Sequence, residues 1–247
     1  MLKLFTFMAL TLSVLVNAVA LWRVADWTIV PALIIGWLGA DIMSGLVHIL
    51  FDYLPVPAKY EIDRIFFHPT RNSAEYTRLK TQLLRRAGPV YHIAFDFKVH
   101  HLRPEAFGHR SFWQLTRAIV LPISLPFSLA VNALALTAAP PAWFLAAAIV
   151  LTLGSALSQY FHSALHRTAA PAPIRALQKL RLLMSPADHE KHHLTYRTAF
   201  CTINGWGNPL VDRVFLALHR RGLLTEAGLE PPRALRPDNA PEPAQSV

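Results

Sequence analysis

The chain of 247 residues is 53% hydrophobic, has a net charge of +9, and contains only 16% Asp, Glu, Lys and Arg. Soluble domains contain about a quarter charged residues, so this composition favours a membrane bundle over a soluble enzyme. The one cysteine, Cys201, excludes an internal disulfide and a metal site made of thiolates.

Four apolar stretches are candidates for transmembrane helices, each of which needs about 20 apolar residues to cross the hydrocarbon core. Tryptophans stand at the ends of the stretches, as an aromatic belt at the membrane surface requires. The stretches are Leu4–Leu21, Trp27–Leu50, Phe112–Ala138 and Trp143–Phe161, with Trp22, Trp27, Trp113 and Trp143 at their ends. We predict an all-α, multi-pass membrane bundle of about four transmembrane helices with a His-rich helical cap.

The first stretch has a second interpretation, that of a cleaved signal peptide. Lys3 gives it a basic start, and Ala18–Ala20 resembles a cleavage site. We favour a retained helix because a second apolar stretch follows at once.

The polar segments 51–111 and 162–247 contain ten and eleven Lys and Arg residues. Four spans place both segments on one side of the membrane, and the positive-inside rule makes that side cytoplasmic. A bias toward Ala, Arg, Leu and Pro indicates a bacterial source, so we expect a bacterial inner-membrane protein. The basic charge does not indicate nucleic-acid binding, because no aromatic-interleaved basic platform accompanies it. We also expect a basic helix over Ser73–Arg86 and a disordered tail from about Pro231.

The second apolar stretch contains a polar stripe at helical spacing, made of Asp41, Ser44, Gly45, His48 and Asp52. Ionisable groups inside a span are costly and indicate a functional site in the bundle interior. His48 is therefore a candidate metal ligand, whereas Asp41 lies deeper and has a supporting or structural role. Close helix packing is an equally good explanation of Ser44 and Gly45.

Further histidines recur at or beyond the ends of the spans. Gln159, His162 and His166 share one helix face, and a His pair at i, i+4 is a common chelating arrangement. A pair of interfacial histidines is the simpler alternative. The adjacent His100 and His101 point about 100° apart on a helix, so they can serve two metals. His109 follows them after a turn at Pro104.

The densest group is Ser185-Pro-Ala-Asp-His-Glu-Lys-His-His193, in which His189, His192 and His193 share one helix face. Neutral imidazole is the commonest metal ligand, although a solvated His-rich turn is the alternative. His68, His92 and His219 have no partner at ligand spacing, and we expect them to be ordinary surface or core residues.

Nine candidate ligands in four groups indicate two metals, because one tetrahedral zinc takes at most about four ligands. Iron, copper, zinc and nickel all suit imidazole. Iron at a membrane edge indicates O₂ activation on a lipid, since acid–base groups near pH 7 cannot break an unactivated C–H bond. No His-Glu-x-x-His occurs, which argues against a zinc protease. No glycine-rich phosphate loop occurs either, so electrons must come from a partner rather than from a nucleotide bound by this chain. A hydroxylase with the same metals and a non-enzymatic metal or haem protein remain alternatives.

An ordered set of motifs from Asp41 to Asp212 resembles the lipid desaturase family. The motifs are Asp41-x-x-Ser-Gly-x-x-His48-x-x-x-Asp52, His100-His101-x-x-Pro104 with His109, Gln159-x-x-His162-x-x-x-His166, Ser185-Pro-x-x-His189-x-x-His192-His193, and Phe200-Cys-Thr-Ile-Asn-Gly-Trp206-x-Asn208-Pro. The last motif has no chemistry of its own, and only the resemblance marks it.

The resemblance implies a membrane di-iron oxidoreductase that uses O₂ and a cytochrome b5 or ferredoxin type of electron donor to desaturate a lipid chain. In the plasmanylethanolamine desaturase branch the product is the vinyl ether of plasmalogens. The implied ligands of the two Fe ions are His48, His100, His101, His109, His162, His166, His189, His192 and His193. The implied supporting residues are Asp41, Asp52, Gln159 and Asn204, of which Asp52 is also a candidate for an extra ligand. No further catalytic side chain is identified.

The resemblance also divides the chain into a transmembrane region (1–40), a lipid desaturase domain (41–215) and a tail (216–247). The sequence departs from the family pattern at Val99, at Arg110, at Ser163–Leu165, and in an apparent insertion near Ile62–Arg86. These departures lie where a lipid channel would be shaped, so the identity of the lipid stays open.

Overall fold

A computed structural model describes residues 1–232 and shows them as helices joined by short loops, without a strand in that part of the chain. The α-helices are α1 (Leu2–Arg23), α2 (Ile29–Tyr53), α3 (Asp63–Phe66), α4 (Ala74–Ala87), α5 (Pro89–Leu102), α6 (Pro104–Gly108), α7 (Phe112–Ile119), α8 (Leu125–Ala138), α9 (Ala142–Leu165), α10 (Ala172–Lys179), α11 (Pro186–Thr195) and α12 (Asn208–Arg220). Most of the tail predicted to be disordered from about Pro231 lies outside the described residues.

Four of the described helical segments are long and apolar enough to cross a membrane. They are α1, α2, the continuous run Phe112–Ala138 formed by α7 and α8, and α9. Their bounds agree with the four predicted stretches to within a few residues, which confirms the predicted all-α bundle.

The chain divides into two compact units. Unit 1 comprises Met1–His48 and Pro104–Leu216, and unit 2 comprises Ile49–Arg103 and the chain from Ala217 onward. Unit 1 contains the spanning helices apart from the last turn of α2.

Close helix contacts in unit 1 depend on glycine. A Cβ added to Gly154 of α9 would lie 2.6 Å from the Cβ of Ala40 in α2. One added to Gly36 would lie 2.5 Å from the carbonyl oxygen of Ala147. Small residues let membrane helices approach this closely. Polar contacts join α1 to α8, where Ser13 Oγ donates to Ser128 Oγ at 2.7 Å.

The third span is not a regular α-helix. Val120–Ser124 forms a π-helical turn between α7 and α8. Pro122 has no N–H to donate, and its ring clashes with the carbonyl one turn earlier, so the wider turn accommodates it. Such turns often occur at functional sites.

Unit 2 is built on a helical hairpin of α4 and α5. Ser73 caps α4 by accepting a hydrogen bond from the Tyr76 N–H at 3.0 Å, so the helix predicted over Ser73–Arg86 lies within one residue of α4. Its apolar side packs Leu83 and Leu84 in a core with Phe95 of α5. Arg78, Arg85 and Arg86 of α4 are exposed, whereas the ammonium of Lys80 lies 5.3 Å from the centroid of the Phe95 ring.

Candidate metal centre

The geometry of α11 follows from its ends. The Ser185 side chain accepts a hydrogen bond from the Asp188 N–H at 3.2 Å, and Pro186 occupies the first turn, where its missing N–H costs nothing. Asp188 also pairs with Lys191 at 2.8 Å. Tyr196, with a positive φ of 56°, ends the helix. These features place the three predicted histidines on one short, capped helix.

Four histidines of unit 1 converge at the ends of α9 and α11. The Nε2 atom of His189 lies 3.0 Å from Nε2 of His162 and 3.2 Å from Nε2 of His193. One ring nitrogen from each of His162, His166, His189 and His193 belongs to a set whose members lie within 4.8 Å of one another. Nitrogens bound about 2.1 Å from one ion are separated by about 3.0–3.4 Å, so these side chains fit a metal.

The protonation of these groups suits a metal as well. Burial and the nearby histidines lower the pKa of His189 well below its ordinary value. Burial, helped by His193 and His192, lowers the pKa of His166 to about 3. Neutral imidazole offers a lone pair to a cation. Among the described residues, no hydrogen-bond partner meets the buried Nδ1 atom of His189, whereas its Nε2 faces the other rings.

His48 and His192 lie beside this group, with their ring centroids 4.4 Å apart. The Nδ1 of His48 is 3.0 Å from the carbonyl oxygen of Phe200, and the Nδ1 of His192 is 2.9 Å from that of Thr198. A carbonyl oxygen only accepts, so each Nδ1 must donate its hydrogen. The lone pair then lies on Nε2, which is the arrangement found in many metal-binding histidines.

Asp41 acts at a distance from the histidines. Its Oδ1 accepts hydrogen bonds from the N–H groups of Ile203, Asn204 and Gly205 at 3.1, 2.9 and 3.2 Å. Its Oδ2 accepts a fourth bond, from the Gly207 N–H at 2.9 Å. Asp41 therefore fixes the loop between α11 and α12, and its supporting role is to hold that loop.

This loop is the part of the site that the sequence motifs did not explain. Phe200 is fully buried, and its ring lies 4.8 Å from that of His192. Ser44 accepts a hydrogen bond from the Thr202 N–H at 3.0 Å, and Asn208 accepts one from the Cys201 N–H at 2.8 Å. The Asn204 side-chain oxygen accepts a hydrogen bond from the Trp206 N–H, a contact within the loop itself. The sequence feature that indicated a contact with this loop was the presence of the polar residues Asp41 and Ser44 in an apolar span.

Cys201 is packed against α2, where a Cβ added to Gly45 would lie 2.8 Å from its sulfur. Burial and the nearby carboxylate of Asp41 raise the pKa of the thiol. A buried neutral thiol is inert, which agrees with a site that has no thiolate ligand.

Unit 2 contains a second group of ligand side chains, Asp52, His100 and His101, with ligand atoms within 4.8 Å of one another. Asp52 is fully buried, and its Oδ1 lies 3.0 Å from Nε2 of His101. His100 Nδ1 contacts the carbonyl of Phe97. The buried Lys98 donates to the backbone carbonyls of Phe51 and Asp52, which fixes the end of α2. Burial lowers the pKa of Lys98 to about 8, and the Asp52 carboxylate opposes this effect.

Other predicted site residues lie elsewhere. His109 is exposed just after α6, and within the described chain it belongs to neither ligand group. Gln159 lines an apolar cavity in unit 1. His68, His92 and His219, which were expected to be ordinary residues, are also outside both described groups.

The fold and the two groups of candidate ligands are those of a His-rich helical membrane protein whose side chains could hold metal ions. Residues 88–233, more than half of the chain, match the family model described as lipid desaturase domain. The chain therefore belongs to the lipid desaturase family and is an integral membrane protein, as its motifs predicted. α4 lies before the matched range.

Two relatives are similar to this chain. Plasmanylethanolamine desaturase from Myxococcus xanthus is 29% identical over 212 residues, which cover 83% of this chain and 64% of the relative. Fatty acid desaturase 4-like 1, chloroplastic, from Arabidopsis thaliana is 31% identical over 141 residues, which cover 53% of this chain and 44% of the relative. The chain thus spans less than two thirds of either relative. No solved structure matches it.

Proposed function

We propose that this protein is a lipid desaturase that uses O₂ and two iron ions to introduce a double bond into a lipid chain. The observation that supports this most directly is the convergence of His162, His189 and His193, with Nε2 atoms 3.0 and 3.2 Å apart, at the end of a membrane-spanning helix. Family membership supports the reaction.

Each unit has its own group of candidate ligands in this proposal. Unit 1 supplies His48, His162, His166, His189, His192 and His193, and unit 2 supplies Asp52, His100 and His101. Bound iron would supply the O₂-dependent chemistry that breaks an unactivated C–H bond, which no side chain achieves near pH 7. The protein's own residues fix the ligands: the Phe200 carbonyl orients His48, and the Thr198 carbonyl orients His192.

The overall reaction requires a separate electron donor. Removal of two hydrogens from a –CH₂–CH₂– unit, with reduction of O₂ to two waters, consumes two electrons and two protons. The sequence has no nucleotide-binding loop to provide the electrons. We propose a carrier of the cytochrome b5 or ferredoxin type. The basic polar segments support metal ligands on the cytoplasmic side of a bacterial inner membrane.

The finer proposal is that the double bond is the vinyl ether of a plasmalogen. It is supported by the similarity to plasmanylethanolamine desaturase over 83% of this chain. The second relative is named as a fatty acid desaturase, and this supports an acyl chain as the competing substrate. The two substrates can be distinguished by comparing lipid extracts of a host that makes ether lipids, with and without this protein. A vinyl ether releases an aldehyde in dilute acid, whereas an acyl double bond does not.

The test of the reaction class combines metal and product analysis. Purified protein should contain about two irons per chain, since more ligands are present than one ion takes, and His192→Ala should lower this content. Desaturation lowers the lipid mass by two hydrogens, whereas hydroxylation adds one oxygen. Haem, zinc alone, or no metal in folded protein would overturn the proposal. Transport is disfavoured because transporter sites lie near the midplane of the membrane, whereas these ligands lie at span ends.

A further inference from the structure

Unit 1 contains an apolar cavity of about 230 Å³ between α2, α9 and the helix formed by α7, the π turn and α8. Each of the three walls contributes residues along two turns of helix. The residues that mark its two ends are Ala40 and Val47 of α2, Ile119 and Phe127 of the third span, and Leu151 and Gln159 of α9.

The three walls agree on which end of the cavity faces the histidines. Val47 immediately precedes His48, and Gln159 lies one turn before His162. The rings of His48 and His162 are 5.0 Å apart. Ile119 is at the same level because the third span begins on the side of the membrane where α2 and α9 end. The cavity therefore begins beneath the histidine rings.

The opposite end is deeper in the membrane. Ala40 precedes Val47 by seven residues and Leu151 precedes Gln159 by eight, so the cavity is about 10–12 Å long at 1.5 Å per residue. Phe127 of the third span lies at this deep end. An extended chain advances about 1.2 Å per single bond, so about eight to ten bonds fit the cavity lengthwise.

The walls offer little to a polar ligand. The hydroxyl groups of Ser44, Thr152 and Ser158 donate to the backbone carbonyls of Asp41, Ala148 and Ser155 at 2.7, 2.7 and 2.8 Å. The backbone thus satisfies these three hydroxyls, and no Asp, Glu, Lys, Arg or His lines the cavity. The buried hydroxyl of Ser124, which also lines the cavity, has no hydrogen-bond partner among the described residues. Burial of hydrocarbon is favourable in such a space, whereas a charged headgroup would lose its hydration without compensation.

The cavity is also accessible from the side. Met43 and Ile123, which line it, are each 49% exposed on the surface of the spanning helices. A lipid chain can enter between them from the bilayer while its headgroup stays at the membrane surface near the histidines.

We propose that this cavity binds the methyl-terminal part, about eight to ten carbons, of a hydrocarbon chain of the lipid substrate, and that Phe127 limits the chain length it accepts. The identity of the bound chain as the substrate rests on the proposed function. Binding of a chain in the cavity does not.

The test is photo-labelling of the full-length protein in lipid nanodiscs. The probe is a phosphatidylethanolamine with a diazirine near the methyl end of one 16-carbon chain, and labelled residues are located by mass spectrometry. Thr152 is buried and lines the cavity, whereas the next residue, Leu153, is exposed on the outside of α9. We expect both to be labelled, Thr152 by the bound chain and Leu153 by surrounding lipid.

Two variants with a matched control complete the test. Ser155→Leu adds bulk to the cavity wall, so about two methylene groups of the bound chain lose their place in the cavity. We expect labelling of Thr152 to fall about tenfold and labelling of Leu153 to stay unchanged. Phe127→Ala should shift the preferred probe length upward by about two to four methylene groups. Leu129→Ala, on the same helix but outside the cavity lining and 51% exposed, should not.

The outcomes distinguish the two proposals. Labelling of Leu153 without Thr152 in folded protein, or an equal effect of Ser155→Leu on both, overturns the cavity assignment even if the protein desaturates lipid. Labelling of Thr152 that responds to these variants supports it even in protein that makes no double bond. An unchanged length preference in Phe127→Ala removes the role of Phe127.

Discussion

The Nδ1 atom of His48 lies 3.0 Å from the backbone carbonyl oxygen of Phe200, a residue 152 positions later in the chain. This hydrogen bond joins a histidine on a spanning helix to the loop between α11 and α12. The same loop is held by Asp41, two turns before His48 on the same helix. His48 and the Phe200 carbonyl that orients it are thus both held by α2, through two different contacts.

Asp41 should therefore be essential for both stability and metal binding. Asp41→Ala removes the acceptor of four buried N–H groups, and we expect a loss of about 3 kcal/mol or more in the free energy of unfolding. Iron content should fall as well, because the loop no longer holds His48. Thermal unfolding in detergent and metal analysis are the measurements.

The control for Asp41 is Asp41→Asn, which keeps one acceptor oxygen of the same shape. It should retain more stability than Asp41→Ala, since the N–H groups that share Oδ1 keep their partner. Equal stability of wild type and Asp41→Ala would show that the loop keeps its structure without the hydrogen bonds to Asp41.

The histidines of α11 should be needed for turnover but not for membrane insertion. We expect His189→Ala, His192→Ala and His193→Ala each to abolish desaturation. His189 and His193 belong to the converging group, and His192 lies beside it, with its ring centroid 4.4 Å from that of His48. Membrane fractionation and lipid mass spectrometry measure the two properties. His68→Ala and His219→Ala are the controls, and both should keep most of the activity. Retained activity in any two of the α11 variants would contradict the ligand assignment.

The sequence was sufficient for the spans and for the placement of histidines on shared helix faces, because both depend on local spacing. Apolar length fixed the four helices, and the i, i+3, i+4 pattern placed His189 and His193 on one face. The π turn at Pro122 was missed because its width depends on how neighbouring helices pack. The role of Phe200 was also missed, since a backbone carbonyl leaves no trace in residue type.

The sequence and the structure lead to different expectations for His109. The family resemblance implies a ligand, but the side chain is exposed after α6 and is outside the described ligand groups. From the structure we predict that His109→Ala keeps the iron content of wild type, measured by mass spectrometry of the purified protein. His166→Ala, from the buried group, should lose iron under the same conditions. Loss of iron in His109→Ala as well would restore the ligand role.

Gly45 should tolerate no side chain. A Cβ there would lie 2.8 Å from the sulfur of Cys201 and 3.0 Å from Cγ1 of Val211, so Gly45→Ala should destabilise the protein by about 1–3 kcal/mol. Thermal unfolding in detergent measures this. Cys201→Ala removes the closest atom, and the double variant should recover part of the loss. If the two substitutions are simply additive, the contact with Cys201 is not the cause.

The metal-free protein should lose stability as the pH falls from 7.5 to 5. The pKa of His166 is about 3 in the folded protein and about 6.5 when unfolded, so below pH 6.5 the unfolded state binds the extra proton. The contribution of His166 is fully present above pH 6.5 and falls by up to about 1.4 kcal/mol per pH unit until about pH 3. His189 acts in the same direction because its pKa is also lowered. Unfolding temperatures of the chelator-treated protein at several pH values measure the slope, which His166→Gln should reduce and His68→Gln should not. A flat profile in wild type would mean that these rings are solvated in the metal-free state.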